Sequence, residues 1–86
     1  MKLKPNFITQ QIDGTQFLIP IGGEAFHGIV RSNETAAFIV DMLKNETTEQ
    51  EIVDAMCREY NAPREVLAAD VAEALAKLRE INALEE

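Results

Sequence analysis

The sequence has few of the residues from which catalytic and metal sites are built. Its 86 residues include one histidine (His27), one cysteine (Cys57) and no tryptophan. A single cysteine cannot form an internal disulfide, and these two residues are too few for a tetrahedral zinc site. A nucleophile with an adjacent base is equally hard to assemble from this composition. We therefore predict a non-enzymatic binding module that needs no metal and no cofactor.

Basic residues and long apolar runs are also scarce. The chain carries 15 acidic and 8 basic residues, for a formal net charge of −7. That charge repels phosphate backbones, which argues against a nucleic-acid partner. No apolar run approaches the roughly 18 residues of a transmembrane helix, and the first residues lack the apolar segment of a signal peptide. We therefore expect a cytoplasmic protein with no membrane partner.

Two β-rich runs, Phe7 to Ile12 and Thr15 to Ile21, flank the dipeptide Asp13-Gly14. That dipeptide is typical of a two-residue type I′ hairpin turn, because both positions tolerate a positive φ. The turn also fixes the register of the hairpin. The predicted cross-strand pairs are Ile8 with Ile19, Gln10 with Phe17, and Ile12 with Thr15. We assign to the core the face that carries Ile8, Ile12, Phe17 and Ile19.

A third run, Phe26 to Arg31, precedes Asn33, whose side chain is suited to cap a helix. Three amphipathic segments then follow the helical period. The predicted helices are Glu34 to Lys44, a helix that begins with the capping box of Thr48 and Glu51 and ends near Tyr60, and Arg64 to Ile81 with Asn82 as a left-handed terminator. The coil before Phe7 and the final Glu85-Glu86 are expected to fray. The order βββααα predicts one α+β domain over residues 1–86, with a three-stranded antiparallel sheet followed by three helices.

Three stretches of the chain carry a resemblance to a known family. They are GIVRSNETAAFIVDML (Gly28 to Leu43), TTEQEIVDAMCREYNAP (Thr47 to Pro63) and VLAADVAEALAKLREINAL (Val66 to Leu84). They resemble, in turn, the strand-to-Asn turn with the first helix, the second helix, and the D-V-x-x-x-L-x-x-L ending of the PqqD family of peptide-recognition elements. The chain departs from the family pattern at Ser32, where an apolar residue is expected, and at Asn82, where the family has glycine.

The resemblance implies a winged-helix-like domain that binds the leader of a ribosomally made precursor peptide. Such a domain presents the leader to a modifying enzyme, often a radical-SAM maturase, and does no chemistry itself. In this family the leader adds as a strand beside the third β-strand and packs against the third helix. The peptide-binding residues implied by that placement are Gly28, Ile29, Val30, Arg31 and Ser32 on the strand, and Val66, Asp70, Glu73 and Lys77 on the helix.

Periodicity alone leaves the binding flank of the third helix open. The opposite flank, with Ala68, Ala72, Ala76 and Arg79, satisfies the same helical spacing. We favour the first flank because Val66 offers an apolar contact and Asp70 matches the family's aspartate. Two other functions stay open as alternatives: a winged-helix DNA-binding regulator, which the net charge disfavours, and a structural subunit that forms a homodimer through the same strand edge. The sequence does not identify the precursor peptide or its modification.

Overall fold

The computed structural model describes residues 1–21 and 30–86, with residues 30–32 described by their backbone. In chain order its elements are β1 (Lys2–Leu3), β2 (Phe7–Ile12), β3 (Thr15–Pro20), β4 (Val30–Ser32), α1 (Glu34–Met42), α2 (Glu49–Glu59), α3 (Arg64–Glu80) and β5 (Leu84–Glu85). The predicted α+β class, a three-stranded sheet followed by three helices, is confirmed. None of the helices in this part of the chain is long and apolar enough to cross a membrane.

The β2–β3 hairpin forms with the turn and the register that the sequence predicts. Asp13 and Gly14 have φ values of 53° and 78°, as a type I′ turn requires. Ile8 pairs with Ile19 and the other predicted pairs also form. The strand order is β2-β3-β4, with antiparallel neighbours. Most of the third predicted run, including Gly28 and Ile29, lies outside the described residues.

The prediction of which hairpin face is buried is wrong. Phe7 and Leu18 are 7% and 1% exposed, whereas Ile8 and Ile12 are 43% and 50% exposed. Both faces of the hairpin carry apolar side chains, but the outer face carries more of them. A count of apolar residues therefore selects the outer face as the buried one, which is incorrect. The inner face is instead set by where the helices pack, which is a tertiary property that alternation along a strand does not contain.

The helix boundaries follow local capping chemistry. The Asn33 side chain accepts a hydrogen bond of 2.8 Å from the N–H of Ala36 at the start of α1. Thr48 and Glu51 form the predicted capping box at the start of α2, with reciprocal hydrogen bonds of 3.0 and 3.1 Å. Asn82 terminates the last helical turn with a φ of 59°. α1 and α3 end two residues and one residue before the predicted ends, within the usual fraying of helix termini.

One hydrophobic core joins the sheet to all three helices. Its fully buried large side chains are Leu18, Ile39, Leu43, Ile52, Met56, Leu75 and Val71. The apolar stripes predicted for α2 and α3 supply most of the helical members, in agreement with the periodicity of the sequence.

The two ends of the chain do not fray as expected, because β1 and β5 pair into a small antiparallel sheet. Leu3 lies opposite Leu84, and Lys2 lies opposite Glu85. The N–H of Leu3 also donates to the carbonyl of Leu43 over 2.8 Å. Sequence patterning does not reveal this sheet because each of its strands is only two residues long.

Candidate functional site

The outer edge of the three-stranded sheet is formed by β4. In the described part of the chain this strand pairs with β3 on one side only, with Val30 opposite Leu18 and Ser32 opposite Gln16. Its other side presents backbone N–H and C=O groups that can accept an added strand. The structure therefore places the backbone of Val30, Arg31 and Ser32 at a sheet edge.

A cavity of about 100 Å³ opens between α1 and α3, directly beyond the end of β4. Asn33, the residue that follows β4, forms part of its wall. The lining residues are Asn33, Thr35, Ala36 and Ile39 from the α1 side, and Asp70, Glu73, Ala74 and Lys77 from α3. We call this cavity the α1–α3 groove. It brings three of the four predicted helix-three residues together beside the sheet edge.

The groove has an apolar floor and a charged rim. Ile39 is 1% exposed, and Ala36 and Ala74 are half-buried. Asp70 and Glu73 are exposed. Among the side chains that the structure describes, neither carboxylate forms an ion pair. The groove can therefore bind a side chain that combines an apolar stem with a cationic head.

Val66 extends the same side of α3 by one turn beyond the groove. Its side chain is 49% exposed and lies four residues before Asp70. The opposite flank of the helix makes different contacts, because Arg79 forms a bidentate ion pair of 3.0 Å with Glu86 in the C-terminal segment. That pairing lowers the pKa of the Glu86 carboxyl. The two flanks thus differ in their contacts: the flank with Asp70 faces α1, and Arg79 on the other flank contacts the C-terminal segment.

The remaining polar residues singled out by the sequence lie outside this groove. Cys57 is half-buried on α2, and the nearest guanidinium nitrogen of Arg64 is 4.0 Å from its sulfur. Arg64 pairs with Asp54 over 2.7 Å, and this hydrogen bond raises the pKa of the arginine. Within the described ranges, no three His, Cys, Asp or Glu side chains are arranged to hold a metal ion. His27 lies outside those ranges.

Tyr60 packs beside α1, away from the groove. Its ring meets that of Phe38 edge to face, with centroids 5.7 Å apart. Burial, followed by the charges of Glu34 and Glu59, raises the pKa of the Tyr60 hydroxyl. Phe38 is thus partly buried against the hydrophobic core rather than on an open surface.

Sequence reasoning missed a second, wider cleft between the hairpin turn and the start of α1. This cleft has a volume of about 610 Å³ and is lined in part by Gln11, Gln16 and Glu34. Gln16 is 4% exposed, and its side-chain amide nitrogen has no hydrogen-bond partner among the residues that the structure describes. The only sequence signal for this cleft was Gln16 itself, a glutamine on the inner face of β3. The incorrect assignment of the buried face had placed Gln16 on the outer face.

Together, the open edge of β4 and the adjoining groove define a small winged-helix-like domain with a surface for an extended peptide. The chain belongs to the PqqD family: the sequence pattern of coenzyme PQQ synthesis protein D (PqqD) matches residues 17–84. No curated protein matches the chain at a significant level.

Two solved structures have the same fold over almost the whole chain. One is described as TbiB1 in complex with the TbiA(beta) leader peptide. It has a TM-score of 0.82 and 25% identity, and the match covers 99% of this chain and 95% of that chain. The other is a lasso peptide synthetase B1 complexed with the leader peptide, with a TM-score of 0.79 and 22% identity over 99% of this chain and 96% of that chain.

Proposed function

We propose that this protein is a non-catalytic adaptor that binds the leader of a ribosomally made precursor peptide. The observation that carries the proposal is the junction of the α1–α3 groove with the β4 edge, which among the described residues pairs with β3 on one side only. Membership of the PqqD family and the likeness to two leader-peptide complexes support the same function. The proposed site consists of the β4 edge at Val30–Ser32 and of Val66, Asp70, Glu73 and Lys77 on α3. It also includes Gly28 and Ile29, which precede β4 in the sequence and lie outside the described residues.

Strand addition explains how such a small surface can bind a peptide. The guest backbone pairs with the free N–H and C=O groups of β4, which gives affinity for any extended chain. Alternate guest side chains point towards the neighbouring helices, and contacts with the groove then select the sequence. The exposed side chain of Val66 offers an apolar contact at one end of this surface.

The adaptor acts with a separate enzyme that modifies the core region of the peptide, such as a radical-SAM maturase. Binding of the leader raises the effective concentration of the core region near that enzyme without any chemistry in the adaptor. The cytoplasm is the proposed compartment, because a ribosomally made precursor is first available there. Self-association through β4 would compete with the leader for the same strand edge. A homodimer formed through β4 would therefore have to dissociate before the leader binds.

A backbone-amide NMR titration of the labelled full chain tests this function. The probe is the synthetic N-terminal half of a precursor peptide encoded beside the gene. We expect the largest shift changes at residues 28–32 and along α3 from Val66 to Lys77. A matched probe with the same composition in scrambled order should shift the α3 amides much less at the same concentration, because it keeps the backbone pairing but loses the side-chain contacts with the groove.

Other results would contradict the proposal. Shift changes confined to the Ala72 and Arg79 flank would place the peptide on the wrong side of α3. A stable dimer in sedimentation that excludes the peptide would favour the structural subunit. Duplex binding with a steep salt dependence would favour the DNA-binding regulator.

A further inference from the structure

The α1–α3 groove combines two surfaces that few side chains satisfy together. Its floor is apolar, with Ile39 1% exposed, while Asp70 and Glu73 stand on its rim. An aliphatic guest side chain would cover the floor and bring no partner to either carboxylate. A short polar side chain would not fill a cavity of about 100 Å³. Lysine and arginine suit both surfaces, because an apolar stem carries a cationic head.

The overall charge of the chain favours the same guest. A formal net charge of −7 attracts cationic peptides and repels acidic ones before contact is made. In the described side chains, Asp70 and Glu73 have no ion-pair partner that a guest cation would need to displace. Lys77, on the same side of α3, provides a single positive charge at the far end of the groove.

The order of these residues along α3 sets the spacing of the guest. From the midpoint of Asp70 and Glu73 to Lys77, and equally back to Val66, the helix rises about 8 Å. Two residues of an extended strand span about 7 Å, and side chains two positions apart point to the same face. A guest strand that runs along α3 therefore meets Val66, the acidic pair and Lys77 with three alternate side chains.

We propose that the leader recognised by this protein carries an apolar, a basic and an acidic side chain at alternate positions, apolar-x-basic-x-acidic in the direction of α3. The basic side chain is a lysine or arginine that lies on the groove floor with its head between Asp70 and Glu73. The apolar side chain contacts Val66, and the acidic one faces Lys77. This inference rests on the proposed function and names the sequence class that the site selects.

The test is a displayed library of randomised linear peptides sorted for binding to the full chain. We expect sorted peptides to share a lysine or arginine with an acidic residue two positions to one side and an apolar residue two positions to the other. The dissociation constant of one sorted peptide is then measured against Asp70→Lys and Glu73→Lys. Each reversal should weaken binding roughly tenfold, because an attractive pair becomes a repulsive one.

The matched control is Glu59→Lys, which changes the net charge by the same amount at the exposed end of α2. Its dissociation constant should stay within about twofold of the original, since α2 contributes no residue to the lining of the groove and exposed charges that form no direct pair contribute little. A second peptide with glutamate in place of the basic residue should bind Glu73→Lys more tightly than the unchanged protein. Such a rescue would not follow from a general loss of folding.

The outcomes separate this inference from the proposed function. Sorted peptides that bind β4 but lack a shared basic position would overturn the inference and leave the adaptor function intact. Equal weakening by Glu59→Lys and Glu73→Lys would also overturn it, because net charge alone would then explain the binding. A library that yields no peptide binding to the full chain would overturn both proposals.

Discussion

Gln16 illustrates how a single buried polar group affects stability. Its side chain is 4% exposed, and within the described part of the chain its amide nitrogen has no hydrogen-bond partner. A buried donor without a partner costs about 1–3 kcal/mol. We therefore expect Gln16→Met, which keeps a similar shape, to raise the free energy of unfolding by about 1 kcal/mol.

Urea denaturation followed by circular dichroism measures this change. Gln11 faces Gln16 across the ladder but is exposed, so Gln11→Met is the matched control and should stay within about 0.5 kcal/mol. A lower stability for Gln16→Met would show that its amide makes a stabilising interaction in solution.

Residues whose roles depend on nearby sequence are the ones that sequence analysis predicts correctly. Asn33, Thr48 and Asn82 bond to or terminate their own helices within a few positions, so composition and spacing are sufficient. Gln16 is different, because its burial depends on which sheet face the helices cover. Ile39 and Ala74, which form the groove floor, lie at apolar positions of amphipathic helices, but their meeting across two helices requires the tertiary arrangement.

At the scale of elements, the two faces of the β2–β3 hairpin have unequal importance. Phe7 is 7% exposed and belongs to the core, whereas its neighbour Ile8 is 43% exposed. We expect Phe7→Ala to lower the free energy of unfolding by about 3 kcal/mol or more, because it leaves a cavity. Ile8→Ala should cost under about 1 kcal/mol. Equal costs in urea denaturation would show that the outer face is covered in solution.

The turn chemistry and the face assignment explain why the hairpin was predicted only in part. Asp13 and Gly14 fix the register through their own backbone conformation, which is a local property. The choice of face is not local, since Ile8 and Ile12 give the outer face the stronger apolar pattern. The choice between the two flanks of α3 could not be made from the sequence for the same reason. Only the position of α1 decides that Asp70, rather than Ala72, borders a groove.

The edge of β4 permits a test by proline substitution. Successive N–H groups of a strand point to opposite sides, so of Val30 and Arg31 one donates towards β3 and the other points outward. Proline removes the donor at its position. We expect one of the variants Val30→Pro and Arg31→Pro to lower the Tm, and the other to retain its Tm but to bind the leader about fivefold more weakly or worse.

Fluorescence anisotropy with a labelled leader peptide gives the affinities, and thermal melts give the Tm. The two variants serve as controls for each other, because each removes one backbone donor and the two donors lie on opposite sides of the strand. Unchanged affinity in both folded variants would rule out β4 as the edge to which the leader adds.

At the scale of the whole molecule, the β1–β5 sheet joins the two ends of the chain to the same core. Leu84 is 6% exposed and lies opposite Leu3, while Ala83 next to it is fully buried. The core cluster takes members from β2, β3, the three helices and β5. We therefore propose that residues 1–86 unfold as a single domain in one cooperative transition.

Leu84→Ala tests this coupling. Loss of a buried leucine should lower the free energy of unfolding by about 2–4 kcal/mol and the Tm by roughly 10 °C or more. Glu85→Ala, at the exposed neighbouring position, should change the Tm by only a few degrees at most, as a surface substitution. Because the proposed leader site includes the α1–α3 groove and not the terminal sheet, the folded Leu84→Ala protein should bind the leader with unchanged affinity. Thermal melts are followed both by circular dichroism and by the NMR signals of groove residues. If the two curves do not coincide, the terminal sheet and the α1–α3 groove unfold separately, which would contradict a single cooperative transition.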